Sequence, residues 1–214
     1  MNFMGIDVGT TGVKTTVFDE AGNILGYGFQ NYAIRFYEGK RAEQDAEKVW
    51  QYTKKTMAAA AASAGSEIAA ISLSTQGDAV IPVDRNQNAL HPAILGMDYR
   101  TEAEADQCAS MFGDNILFKK TGMRPHPLNS LTKMMWFQKH CPQLEGKLWK
   151  YVTYADYILL KLGADEPVID LSMASRVMAL DLASKKWDYH ILKTAGVPAE
   201  LLSKPVPSGV IVGK

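Results

Sequence analysis

Cysteine is nearly absent: Cys108 and Cys141 are the only two in 214 residues, far apart and without Cys-x-x-Cys spacing. That spacing excludes a disulfide framework and leaves no zinc motif, so two ordinary thiols in a reducing compartment account for both. Long hydrophobic runs are also missing. The alanine-rich stretch 57–64 is too short and too small-sided to span a bilayer, and the N-terminus has no charged segment followed by an apolar one. Charge of one sign is lacking too: 23 acidic and 23 basic residues balance, and no basic run stands out. Composition therefore offers no general field for nucleic acid, and an anionic ligand needs local donors. There is no internal repeat and no low-complexity linker. These absences describe a cytoplasmic protein without membrane or nucleic-acid partners, long enough for one large domain or a domain and a half.

What is present is most informative at positions 5–14, GIDVGTTGVK. Residues 2–8 and 13–19 read as strands, and Gly9 and Gly12 give the turn between them its backbone freedom. In such a turn, exposed N–H groups and the hydroxyls of Thr10 and Thr11 can converge on an anion. Asp7, at the end of the first strand, is placed to hold a hydrated magnesium ion beside that anion. An ordinary hairpin with a Thr-rich turn is the plainer alternative, although a carboxylate ending a buried strand is costly without a partner.

Beyond the turn, residues 19–23 (DEAGN) lead into a third strand, 24–30. Residues 45–62 carry apolar positions at three- and four-residue spacing, which predicts a helix with Asp45 as its N-cap. Residues 68–74 then form another strand, and 80–83 a short one that can make a hairpin across the turn 85–88. The middle third reads as helical. Thr101 begins a helix through Phe112, with Glu104 completing a capping box, and Ser130 begins another. Met134, Met135 and Trp136 read as core rather than as a ligand set. Residues 154–162 and 189–195 are further helices, and 176–182 (RVMALDL) reads as a strand.

The turn with its flanking strands resembles the opening phosphate loop of the actin-like ATPase superfamily. Three later segments, IAAISLSTQG at 68–77, AILGMDYRT at 93–101 and IDLSMASRVMALDL at 169–182, look like landmarks of the FGGY carbohydrate kinases, in the family's order and approximate spacing. The resemblance runs from Asn2 to the last residue, closest in kind to xylulokinase and gluconokinase. It implies an α/β fold: an RNase-H-like domain of β-β-β-α-β order, with a mixed sheet and a helical insertion. It also implies phosphoryl transfer from ATP, with magnesium, to a hydroxyl of a pentulose, hexulose or sugar acid.

On this resemblance Asp7 holds magnesium, Gly9, Thr10 and Thr11 meet the transferring phosphoryl group, and Lys14 approaches phosphate. For Lys14, simple solvent exposure on a strand is an equal alternative. Gln76 and Asp78 in the first loop, and Asp98 and Arg100 in the second, become the sugar contacts, since a polyhydroxylated ligand needs paired donors and acceptors. A local ion pair capping the next helix is the competing reading of Asp98 and Arg100. Asp170, Ser172, Ser175 and Arg176 read as structural support. The sequence departs from the family pattern at Gly77, Gly96 and Leu128, where glycerol kinase has larger polar or aromatic residues. Those departures point away from a small triol, either because the glycines leave room for a larger ligand or because another side chain fills the space.

The general-base aspartate of the family lies just past a segment that here is SGVIVG at 208–213, beyond Lys214. The expectation is that residues 1–214 form an incomplete N-terminal sugar-binding domain without its C-terminal ATP-binding domain, inactive alone and capable of homo-oligomer formation. The alternative is a non-catalytic sugar-binding or partner module derived from such a kinase.

Overall fold

A computed structural model describes residues 1–213. The chain begins with strands β1 (Phe3–Val8), β2 (Gly12–Phe18), β3 (Ile24–Asn31), β4 (Arg35–Tyr37) and β5 (Arg41–Gln44), then helix α1 (Ala46–Ala64) and strand β6 (Ala70–Thr75). Next come β7 (Ile81–Val83), β8 (Ala93–Ile94), α2 (Glu102–Phe112), α3 (Asp114–Thr121) and α4 (Ser130–His140). The last stretch holds β9 (Lys150–Val152), α5 (Tyr154–Lys161), β10 (Val168–Asp170), α6 (Leu171–Ser175), β11 (Leu180–Asp181), β12 (Lys186–Trp187), α7 (Tyr189–Thr194) and β13 (Lys204–Val206). Two compact units emerge, one of Met1–Ile34 with Gln44–Gln76, the other of Arg35–Glu43 with the residues from Gly77 onward.

The first unit is a four-stranded sheet in the order β3-β2-β1-β6, with β1 antiparallel to β2 and parallel to β6. Its strands alternate as a half-buried sheet should. Met4, Ile6 and Val8 of β1 face Val17, Thr15 and Val13 of β2 across the pairing, and all six are buried. Helix α1 covers this face. Asp45 caps it by accepting from the Lys48 N–H, and Gly65, at φ 59°, closes it in the left-handed conformation. The helix comes so close to β3 that a Cβ on Gly26 would stand 2.0 Å from the Ala60 carbonyl oxygen, and one on Gly28 2.3 Å from that of Thr56. Only glycine permits that approach. At the centre of the contact the Thr15 and Thr56 hydroxyls share a hydrogen bond of 2.8 Å.

The second unit wraps helices and short strand pairs around a core that includes Val80, Ile94, Leu117, Leu131, Phe137, Tyr151 and Met178. Cys108 and Cys141 are free and buried, and Met134 and Met135 pack in this core as expected. Three local expectations are corrected. Thr101 precedes α2 but does not cap it: its hydroxyl bonds the Pro127 carbonyl and the Thr132 hydroxyl, while Glu104 turns inward to within 3.7 Å of His140. Residues 176–182 are not a strand, because Asp170 caps the short helix α6 and Met178 takes a left-handed φ of 70°, leaving Leu180–Asp181 to pair with β12. Helix α3, set between Gly113 and Gly122, went unread in sequence. Among the described residues no helix is long and apolar enough to cross a membrane.

Asp156 in the first turn of α5 gives the second unit a pH dependence. It is fully buried, its carboxylate accepts from the Thr153 amide, the Thr153 hydroxyl and the Ser203 hydroxyl, and burial pushes its pKa up to about 6 despite those bonds. A raised acid pKa means that the protonated form is favoured on folding, so this contribution to stability is full below about pH 4 and lost as pH rises through about 6. Two units of pKa correspond to about 3 kcal/mol. Melting curves should show this group's loss between pH 4 and 7 in the wild type and its absence in Asp156→Asn, which keeps an acceptor toward Thr153. An unchanged pH slope in the variant would show that Asp156 is not responsible.

Candidate active site

In the first unit, the turn between β1 and β2 is closed by a bond from the Gly9 N–H to the Gly12 carbonyl, 2.9 Å. Three further carbonyls of this turn are engaged. The Gly9 oxygen accepts from the Tyr32 hydroxyl at 2.6 Å and from Gln76 Nε2 at 3.2 Å. The Thr10 oxygen accepts from Gln44 Nε2 and the Thr11 oxygen from the Tyr32 N–H. Among the described residues no partner occupies the N–H of Thr10 or Thr11, and the Thr11 side chain is exposed. Gly12 is glycine because a Cβ there would lie 3.0 Å from the Gln30 carbonyl oxygen.

Asp7 and Lys14 are directly paired across β1 and β2, which puts both side chains on one face; their charged groups are 3.7 Å apart and about half exposed. Lys14 therefore sits beside the carboxylate. Burial, with the Asp7 charge adding, pushes the Tyr32 hydroxyl above its ordinary range and keeps it a proton donor at neutral pH. Among the described residues no three acidic, histidine or cysteine side chains cluster as a metal cage. Asp7 alone suits a cation that keeps most of its water and shares phosphate oxygens, as magnesium does.

The structure places Gln76 differently from the sequence expectation. Its amide nitrogen donates to the Gly9 oxygen and to Gln44 Oε1, so it serves the turn rather than standing with Asp78, Asp98 and Arg100. The reason is local: Gln76 follows β6, whose pairing with β1 runs to Val8 beside the turn.

In the second unit, Asp78 takes a left-handed φ of 65°, a conformation that asparagine and aspartate tolerate best among side-chain-bearing residues. Its carboxylate is gripped by Arg176, through Nε at 3.0 and 3.1 Å and Nη2 at 2.6 Å. Asp78 is 4% exposed, whereas the Arg176 side chain is 42% exposed. Hydrogen bonding to Asp78 raises the pKa of Arg176. Other side chains stand immediately beside the two glycines. A Cβ on Gly77 would meet Arg176 Nε at 3.3 Å, and one on Gly96 would meet Asp78 Cβ at 3.3 Å and Leu128 Cδ1 at 3.4 Å.

Asp98 and Arg100 are corrected as well. The Asp98 carboxylate is 0% exposed and accepts from the Ala42 N–H at 2.6 Å, from the Arg100 N–H and Nε at 2.9 Å each, and from Arg100 Nη2 at 2.7 Å. Glu43 takes the other side of the guanidinium at 2.7 Å, and Trp136 lies under it at 5.0 Å. This is an ion pair, as the competing reading had it, but buried and tied to β5 rather than capping α2. With its acceptor sites used inside the protein, Asp98 has none to offer a sugar.

Sequence reasoning missed Lys133. It is 0% exposed, donates to the Pro127 and Leu128 carbonyls at 3.0 and 2.6 Å, and burial lowers its pKa to about 7, with Asp78 and Asp98 working in the opposite direction. A lysine directly before the four-residue apolar run 134–137 of a helix was the available signal. Arg176, read as support, proves to be the partner of Asp78.

The sequence profile for the N-terminal domain of the FGGY family of carbohydrate kinases matches residues 2–214. The chain belongs to this family. It is 32% identical over 206 residues to a gluconokinase of Bacillus subtilis (strain 168), covering 96% of this chain and 40% of that protein. To a glycerol kinase of Brucella ovis it is 30% identical over 208 residues, covering 93% of this chain and 42% of the relative. Solved structures agree on the fold. A gluconate kinase from Lactobacillus acidophilus superposes with a TM-score of 0.92 at 22% identity, over 100% of this chain and 43% of that one. A xylulose kinase from Rhodospirillum rubrum gives 0.93 at 21%, over 100% and 44%. The RNase-H-like, actin-like ATPase architecture expected from sequence is thus the one observed. This FGGY chain spans about two fifths of the length of its relatives.

Proposed function

We propose that the protein carrying this chain transfers the γ-phosphoryl group of ATP to a hydroxyl of a sugar acid, pentulose or hexulose. The observation that carries the reading is the β1–β2 turn: its carbonyls are bonded within the protein, its Thr10 and Thr11 amides have no partner among the described residues, and Asp7 stands at its edge. Phosphoryl transfer asks a protein mainly to position groups and neutralise charge. Gly9, Thr10 and Thr11 cradle phosphate oxygens through N–H and hydroxyl groups. Asp7 holds hydrated magnesium, which when bound would neutralise charge on the phosphate chain. Lys14 steadies the Asp7 carboxylate and adds positive charge on the same strand face.

Asp78 is the proposed acceptor of sugar hydroxyl hydrogen bonds, oriented by Arg176. Arg176 Nη1 makes no hydrogen bond among the described residues, so it can receive a further anionic or hydroxyl oxygen, as a sugar acid would supply. Asp98, Arg100 and Glu43 keep the loop after β8 in place. The relatives bear the names gluconokinase and glycerol kinase at nearly equal identity, so acceptor choice rests on these residues.

The test is ATP-dependent phosphorylation by the complete enzyme with gluconate, xylulose, ribulose, fructose and glycerol. A sugar acid or ketose should exceed glycerol in kcat/KM by about tenfold or more, the scale of a few well-placed contacts. Arg176→Ala should reduce that preference. Glycerol as the best acceptor would refute the substrate class, and absence of transfer to every acceptor would refute the activity.

A further inference from the structure

The side chains around the β1–β2 turn do more than fill space. In a trans peptide the C=O and the N–H point in opposite directions, so fixing a carbonyl fixes the aim of the next residue's amide. Three successive peptides are held in this way. The Gly9 carbonyl is taken by the Tyr32 hydroxyl and Gln76, that of Thr10 by Gln44, and that of Thr11 by the Tyr32 backbone. The matching amides are those of Thr10, Thr11 and Gly12.

The donors are themselves oriented. Gln76 Nε2 donates to Gln44 Oε1 at 2.9 Å, which settles the direction of the Gln44 amide and aims its nitrogen at the Thr10 oxygen. Gln44 is buried at 1% exposure, where an amide is costly unless bonded. The Tyr32 ring lies parallel to that of Tyr52 on α1, with centroids 6.3 Å apart, which fixes the reach of its hydroxyl. Gln44 ends β5, Gln76 follows β6 and Tyr32 follows β3, so the turn is held by three separate parts of the first unit.

We propose that Tyr32, Gln44 and Gln76 are positioning residues that hold the carbonyls of Gly9 and Thr10 inward and thereby present the amides of Thr10 and Thr11, with that of Gly12, as a preformed anion cradle. The inference rests on the phosphate reading of the turn and assigns its geometry to side chains distant in sequence. Preorganised amides bind an anion without first reorienting, so the clamp acts on affinity for the phosphate chain. Gly9 has two side-chain donors and Thr10 one. Losing Gln44 therefore has the larger single effect, while Tyr32 and Gln76 substitute for each other at Gly9.

The probe is inorganic tripolyphosphate, titrated into the isotope-labelled 214-residue chain while the backbone amides are followed by NMR. The Thr10, Thr11 and Gly12 signals should move in the wild type. Gln44→Met should weaken binding about fivefold to tenfold, the weight of one ordinary to strong hydrogen bond. Tyr32→Phe and Gln76→Met should each cost less, and the double variant more than their sum. Variants that melt earlier yet bind tripolyphosphate like the wild type would overturn the clamp and leave the phosphate reading standing. Wild-type amides that ignore tripolyphosphate would overturn both. Should Gln44→Met fail to fold, the wild type still decides: a scalar coupling across the hydrogen bond from the Gln44 side-chain nitrogen to the Thr10 carbonyl carbon is expected, and its absence overturns the clamp.

Discussion

If the proposed phosphoryl transfer is right, Asp7→Asn lowers kcat of the complete protein by about two to three powers of ten and leaves the KM for the sugar nearly unchanged. The substitution keeps the size of the side chain and removes a negative charge beside the β1–β2 turn, 3.7 Å from Lys14. On the proposed reading the lost charge acts on the cation and the transferring group, while Asp78 and Arg176 of the second unit keep their own contacts. Steady-state kinetics at several magnesium concentrations check this, and part of the loss should be recovered at high magnesium. A large rise in sugar KM with kcat intact would show that Asp7 serves the sugar.

Arg100→Ala costs the second unit about 3–5 kcal/mol, because it strips the partner from a buried carboxylate. Asp98 is 0% exposed and Glu43 is 13% exposed, and both lean on the same guanidinium, whose own side chain is 3% exposed. Their attraction to Arg100 outlasts moderate salt, since little solvent enters to screen it. Arg100→Lys should recover only part of the loss: one ammonium cannot reproduce the fork that bonds Asp98 through Nε and Nη2 while Nη2 also reaches Glu43. Denaturant unfolding of wild type and the two variants measures this. A variant as stable as wild type, with weakened sugar binding, would restore Arg100 to the substrate.

The two units differ in how much the sequence revealed. Strands β1 to β3, helix α1 with its Asp45 cap, and β6 were readable because each carries a local signal: period-two alternation, a helical stripe, a capping aspartate, a closing glycine. Helix α3 lacked such a signal, with few apolar positions between two glycines. The run 176–182 misled because β-branched and apolar residues suggest a strand, while the Asp170 cap upstream and the left-handed Met178 decide otherwise. Thr101 carried the right residue for a cap, yet its hydroxyl found better partners in Pro127 and Thr132, which no local pattern announces.

The sequence by itself determined the family and the elements that carry a local signal, β1 to β3, α1 and β6, and offered the β1–β2 turn as a candidate anion site, since these depend on residue types at short spacing. Only tertiary structure decided what each polar side chain does. Gln76 and Asp78 are two residues apart, yet one serves the Gly9 carbonyl and the other pairs with Arg176, 98 positions away in sequence. Asp98 looks the same on paper as Asp78, but it is enclosed by Ala42 and Arg100. A buried polar group must be bonded, and its partner is chosen by which backbone or side chain the fold brings within reach; spacing along the chain does not encode that choice.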